Sequence, residues 1–207
     1  MKKIRLPIGQ EFSVSIDTHN ITEEQIAAIG GTKVVKVGSI DVAEGNRELG
    51  VAQDNGAQIV YAATNIEKKL EDTLLTYFFG PFVSPDKRRD FFIHNVLQSS
   101  GLQLSFKKEL VCKIAQDQNL LEGKARNTLQ SNLKIIMDWR NAFAHGRLCH
   151  DAQAGSRLRY YRGSPQVLAL NDEYWSTVED CFKETHRILS EVQKNLSRLY
   201  KQGSGTR

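Results

Sequence analysis

Arg140 and His145 stand five residues apart in the run Asp138-Trp139-Arg140-Asn141-Ala142-Phe143-Ala144-His145-Gly146, where a helical pattern meets a glycine. Arginine stays charged at any physiological pH, whereas histidine gives or takes a proton near neutrality. Together they suit chemistry on a phosphodiester. RNA carries its own nucleophile, the 2′-hydroxyl, so cleavage needs a base for that proton, an acid for the leaving oxygen and a cation for the crowded phosphorane. The expected products are a 2′,3′-cyclic phosphate and a 5′-hydroxyl. In this scheme His145 does acid/base work, Arg140 stabilises transition-state charge, and Asn141 orients His145 or binds a phosphate oxygen. No metal and no organic cofactor is called for.

Helix geometry sets a condition on that chemistry. At about 100° per residue, Asn141 and His145 share a face one turn apart, while Arg140 and His145 are separated by about 140° around the axis. One copy does not focus both groups on one phosphate. If two copies of this helix meet across a twofold axis, the Arg of each subunit approaches the His of the other. A homodimer is therefore expected, and Gly146 lets the helix end at the site.

Downstream, Arg147, Arg157, Arg159 and Arg162 lie close to the motif, with Tyr160 and Tyr161 interleaved. Such a set could track a phosphate backbone and stack bases, or form an ordinary solvated hairpin face. Bland readings exist for the motif as well: Arg and His near a helix C-terminus satisfy its dipole. The same spacing also occurs in Arg89-Asp90-Phe91-Phe92-Ile93-His94, where His94 reads as a packed or surface histidine. The later copy is preferred because small residues, an amide beside the Arg and a helix stop surround it. His145, Cys149, His150 and Asp151 invite a metal reading, but their spacing fits no recognised zinc framework.

The chain has 207 residues, 40% hydrophobic and 25% charged, enough for one main core. No apolar run approaches the roughly 18 residues that span a bilayer, and Met1-Lys2-Lys3-Ile4-Arg5 lacks a following signal region, so a cytoplasmic location is expected. Three widely spaced cysteines, Cys112, Cys149 and Cys181, argue against a disulfide framework. The net charge of +4 is uneven: residues 1 to 55 hold 6 Lys or Arg against 8 Asp or Glu, leaving 22 against 16 for the rest. The basic excess thus accompanies the motif and fits a polyanionic partner.

Residues 1 to 55 read as a small mixed α/β appendage: a strand over Phe12 to Ile16, a short helix with the Thr22/Gln25 capping box ending at Gly30-Gly31, and a strand from Lys33 to Val37. A Gly-rich polar passage from Gly45 to Gly56 then reads as a separator. Helices follow. The first, between Ile59 and Phe78, buries Ile59, Ala62, Ala63, Ile66, Leu70, Leu74, Tyr77 and Phe78. A second starts at Ser84-Pro85-Asp86 and runs to about Ser99. A third spans Ser105 to Leu121, with Phe106, Leu110 and Ile114 inward and Gly123 as its stop. The fourth runs from about Ala125 to Gly146. A β-hairpin of Leu158 to Arg162 and Val167 to Leu170 precedes a last helix capped by Asn171 or Asp172, of roughly seven turns. Residues 201 to 207 read as a disordered tail. The expected fold is mainly α, a bundle of about five helices over residues 56 to 200 with a hairpin before the last helix.

Arg140-Asn141-Ala142-Phe143-Ala144-His145 resembles the Arg-x4-6-His motif of the HEPN superfamily. The wider run from Leu104-Ser105-Phe106-Lys107-Lys108 through His145, then a hairpin and a final helix, is similar to the branch that includes the mannitol operon repressor family. The resemblance covers about residues 56 to 200. It implies a HEPN-like bundle, usually homodimeric, and in many members metal-independent endoribonuclease activity in toxin–antitoxin, abortive-infection (antiviral) or RNA-processing roles, with an antitoxin or regulatory protein as a possible partner. The matched active-site residues are Arg140, Asn141 and His145. Other members are inactive binding modules, so the alternative expectation is a non-catalytic regulator or transcriptional repressor. No helix-turn-helix signature accompanies the latter.

Overall fold

The computed structural model describes residues 11–13, 42–81, 86–99, 102–151 and 154–203. The expected helix at Thr22 to Gly31 and strand at Lys33 to Val37 lie outside these residues. Of the first expected strand, Glu11–Ser13 is seen as β1. The elements after it are α1 (Val42–Phe79), α2 (Lys87–Phe92), α3 (Leu104–Asp117), α4 (Gly123–His145), β2 (Arg147–Asp151), β3 (Gly155–Tyr161), β4 (Pro165–Ala169) and α5 (Asp172–Gly203). The chain is thus mainly α, with five α-helices among the described residues and a small sheet before the last one. Among the described residues, no helix is long and apolar enough to cross a membrane.

Two compact units can be distinguished, Met1–Ala57 with His145–Tyr174, and Gln58–Ala144 with Trp175–Arg207. The passage from Gly45 to Gly56, expected as a separator, is helical and forms the first turns of α1. The reason lies in its spacing: Gly45, Leu49, Ala52, Gly56, Ile59, Ala63, Ile66 and Leu70 are all buried and recur at alternating steps of four and three. Glycine and alanine continue the stripe that larger residues complete, and the helix tolerates each glycine at a cost of about 1 kcal/mol.

In the helical unit, several expected details change. Asp86 caps α2, its Oδ1 accepting from Arg88 N–H at 2.8 Å, while Ser84 and Pro85 of the expected start lie outside the described residues. The Arg88 side chain also donates to Asp86 and holds its carboxyl below the usual range. The helix widens into a π-helical stretch over Ile93–Leu97. In α3 the inward face is Lys107, Val111, Ile114 and Ala115, while Phe106 is exposed. This is a rotation of one residue from the Phe106/Leu110 face, and it is set by Lys107. Its ammonium reaches Glu67 Oε1 at 2.6 Å and Glu71 Oε1 at 2.5 Å, both on α1. Burial alone would lower the Lys107 pKa, but the two carboxylates outweigh it and the value is raised. After α3, Asn119 takes the left-handed conformation with φ 50°, so the turn is made there and Gly123 instead begins α4.

Helix α4 buries Leu129, Leu133, Ile136 and Ala142. On α5 the stripe Val178, Phe182, Ile188, Leu189, Val192 and Leu196 is buried, whereas Leu199 is exposed. Asn171 is the cap, its Oδ1 accepting from Tyr174 N–H at 2.8 Å. The helix continues to Gly203, past the point expected to begin a tail. Trp139 stacks on Phe182 and Phe143 tilts against Trp175, which fastens α4 to α5 through aromatic contacts.

The sheet order is β1-β2-β3-β4. The hairpin is β3-β4, closed through Gly163 at φ 71°, with Arg162 N–H bonding Ser164 carbonyl at 3.0 Å. Strand β2 was not anticipated. It pairs antiparallel with β3 and parallel with β1.

Candidate functional site

The C-terminal turns of α4 present Arg140, Asn141 and His145, all three exposed. Leu129, Leu133 and Ile136 bury the inward stripe of the helix; Arg140 follows on that same stripe near the helix end, where it borders the open space and stays exposed, and Asn141 lies about 100° further round. Arg140 Nη1 donates to Asn141 Oδ1 at 3.1 Å, so the amide steadies the guanidinium next to it. Among the described residues no carboxylate pairs with Arg140. His145 is the last helical residue and Gly146 leads straight into β2. Gly146 ends the helix without entering the left-handed region, unlike Gly155 and Gly163.

The earlier copy of the spacing is placed differently. Arg89 is half-buried within α2, and His94 is exposed in the π-helical stretch, with its Nδ1 3.1 Å from Gln98 Oε1. His94 is a surface histidine.

The downstream arginines are sorted by the strand register. Arg147 pairs opposite Arg159, and Cys149 opposite Arg157, so these positions share one face of the sheet. Leu148, Leu158, His150, Ser156 and Tyr160 occupy the other. Three of the expected RNA-binding residues, Arg147, Arg157 and Arg159, are therefore brought together. Tyr160 is not among them: it is half-buried on the opposite face beside Tyr174, whose phenol is pushed up first by burial and then by Tyr160. Tyr161, 75% exposed, lies on the arginine face, and Arg162 is exposed at the hairpin turn.

The same register separates the residues of the metal reading. Cys149 is buried with its thiol donating to Arg157 carbonyl at 3.6 Å, while His150 turns the other way. His150 Nδ1 lies 3.2 Å from Glu48 Oε2 and 3.3 Å from Ser156 Oγ, and Ser156 Oγ donates to Glu48 at 3.1 Å. The three contacts close a triangle of His150 Nδ1, Ser156 Oγ and Glu48 Oε2, which ties β2 and β3 to the start of α1. It does not make a relay, because a relay needs a partner on each ring nitrogen.

The sequence reading missed a cleft. Within the helical unit, Arg140 and Asn141 form one edge of a cavity of about 580 Å³, bounded also by Leu97, Gln98, Gln103 and Glu67. Lys107 reaches its floor, and Met137, one turn before Asn141, adds an apolar wall. No signal in the sequence marked it, because the lysine that takes a core position on α3 is recognised only through the two glutamates it draws inward. No protein-family model, no curated protein and no solved structure matches this chain.

Proposed function

We propose that the protein is an RNA-binding homodimer that cleaves RNA without a metal, through Arg140 and His145 at the end of α4. The observation that carries this reading is the exposure of both groups on the closing turns of one helix, with the Arg140 guanidinium held by Asn141 and free of a paired carboxylate among the described residues. A guanidinium in that state retains N–H donors for a phosphate. The three arginines that share a sheet face support the choice of a polyanionic ligand. So does the resemblance of Arg140 to His145 to the HEPN motif, which brings with it the toxin–antitoxin or antiviral role and the regulatory protein partner.

In the proposed reaction, one imidazole removes the 2′-hydroxyl proton, the resulting oxygen attacks phosphorus, and the P–O5′ bond breaks. A second, protonated imidazole delivers a proton to the departing 5′-oxygen. The atoms balance with no added cofactor, giving a 2′,3′-cyclic phosphate and a 5′-hydroxyl. Arginine from each subunit holds the negative charge that builds on phosphorus.

The test is incubation of purified protein with mixed RNA in EDTA. Wild type should cleave, and Arg140→Ala and His145→Ala should each lower the rate by about 100-fold or more while remaining dimeric by light scattering. RNA left intact by wild type counts against the enzyme. The second reading, a non-catalytic regulator on the same fold, is favoured by one observation: the cleft takes in Arg140 and Asn141 but not His145. Binding of RNA or of a protein without cleavage would select it.

A further inference from the structure

The cleft beside Arg140 has a lining that is too specific in chemistry to be a packing defect. Its lining combines apolar side chains, Leu97, Leu104 and Met137, which suit the flat face of a heterocycle, with the side-chain amides of Gln98 and Gln103 and the carboxylate of Glu67. A cavity of about 580 Å³ is within the size range of small-ligand sites and accommodates one nucleotide.

The groups differ in what they still have to offer. Glu67 gives Oε1 to the buried Lys107 ammonium, and a carboxylate so paired is acceptor-only. Its remaining lone pairs ask for N–H donors. The Gln98 Oε1 is engaged by His94 Nδ1, which leaves the two N–H donors of that amide for a carbonyl oxygen. Arg140, at the rim, supplies a cation where a phosphate attached to the bound group would emerge.

Among the four RNA bases, guanine alone presents two adjacent N–H donors, N1–H and the N2 amino group, next to a carbonyl oxygen. Adenine and cytosine place an acceptor beside their amino donor, and uracil flanks one donor with two acceptors. A carboxylate facing those edges meets lone pairs and is repelled. We infer that this cleft is a guanine-binding subsite, with Glu67 reading N1–H and N2–H, an amide reading O6, and Arg140 holding the adjoining phosphate. This deepens the RNA reading above and takes its ligand class from it.

The closing experiment uses the full-length protein and guanosine 3′-monophosphate, with the adenosine, cytidine and uridine counterparts, in titration calorimetry. Wild type should prefer the guanosine nucleotide by about tenfold or more, the margin of a two-hydrogen-bond contact. Glu67→Gln replaces one acceptor by a donor and should erase that preference. Glu71→Gln is the control: it removes the other partner of Lys107 but does not line the cleft, so it should weaken the fold comparably and keep the preference. Equal affinities for the four nucleotides in wild type, no binding, or equal loss in the two variants would each overturn the proposal. Guanosine selectivity without RNA cleavage supports the subsite and sinks only the nuclease. Cleavage with no nucleotide preference does the reverse.

Discussion

Lys107 shows how much a single side chain decides. It occupies a core position on α3, 4% exposed, and is held by two glutamates from α1. Removing the cation leaves two carboxylates close together without compensation, whereas removing the whole cluster would cost less. We predict that Lys107→Met destabilises the fold by about 2 kcal/mol, and that adding Glu67→Gln and Glu71→Gln recovers part of the loss in urea unfolding. His186 gives a pH prediction. Burial, and then Lys69, lower its pKa from 6.5. The folded imidazole therefore resists protonation, the unfolded chain takes up the proton first, and stability falls as pH drops below about 6.5 toward the lowered folded value. Wild type should lose more stability than His186→Gln between about pH 7 and pH 5 in the same urea experiment. Arg140, Asn141 and His145 are exposed at the helix end where the pattern placed them. The Lys107 cluster was not legible, because a lysine in an amphipathic pattern reads as surface unless its partners, 36 and 40 residues away, are known.

Elements were legible wherever an apolar stripe was long. The buried faces of α4 and α5 follow their periodicity, and Asn171 caps as its side chain allows. Where small residues replaced large ones the reading failed: Gly45, Ala52 and Gly56 continue the α1 stripe but carry too little side chain to announce it. Strand β2 stayed hidden for a related reason, since Leu148 and Cys149 are adjacent and both buried, which breaks alternation. That strand is what aligns the arginines. With Arg147 across from Arg159, and Arg157 next along the same face, three basic positions share one side of the sheet, and the proposed RNA reading uses them as a track for phosphates. We predict that Arg157→Ala and Arg159→Ala each weaken RNA binding across sequences and reduce the slope of log affinity against log salt by about 0.7, measured by fluorescence anisotropy. A sequence-dependent loss would assign these residues to base contacts instead.

At the scale of the whole molecule, the proposed site needs a second copy. Arg140 and His145 are about 140° apart around one helix, so neither subunit alone aims both at one phosphate. Equal mixing of wild type with the Arg140→Ala/His145→Ala double variant should therefore leave about a quarter of the wild-type activity after subunit exchange, because only wild-type homodimers keep both imidazoles and both guanidinium groups. Activity of about a half, with exchange verified, would place the groups in a single-chain site. The two compact units could not be read from the sequence, since each is built from separated stretches of chain.

The parallel pairing of β1 with β2 sets a timetable for synthesis. Glu11 lies opposite Cys149, 138 residues later in the chain. At translation rates of about 5–20 residues per second, β1 leaves the ribosome roughly 7–28 s before its neighbour exists. Over that interval its unsatisfied backbone groups are open to chaperones or to other nascent chains, and the sheet can acquire its fourth strand only after most of the polypeptide has emerged.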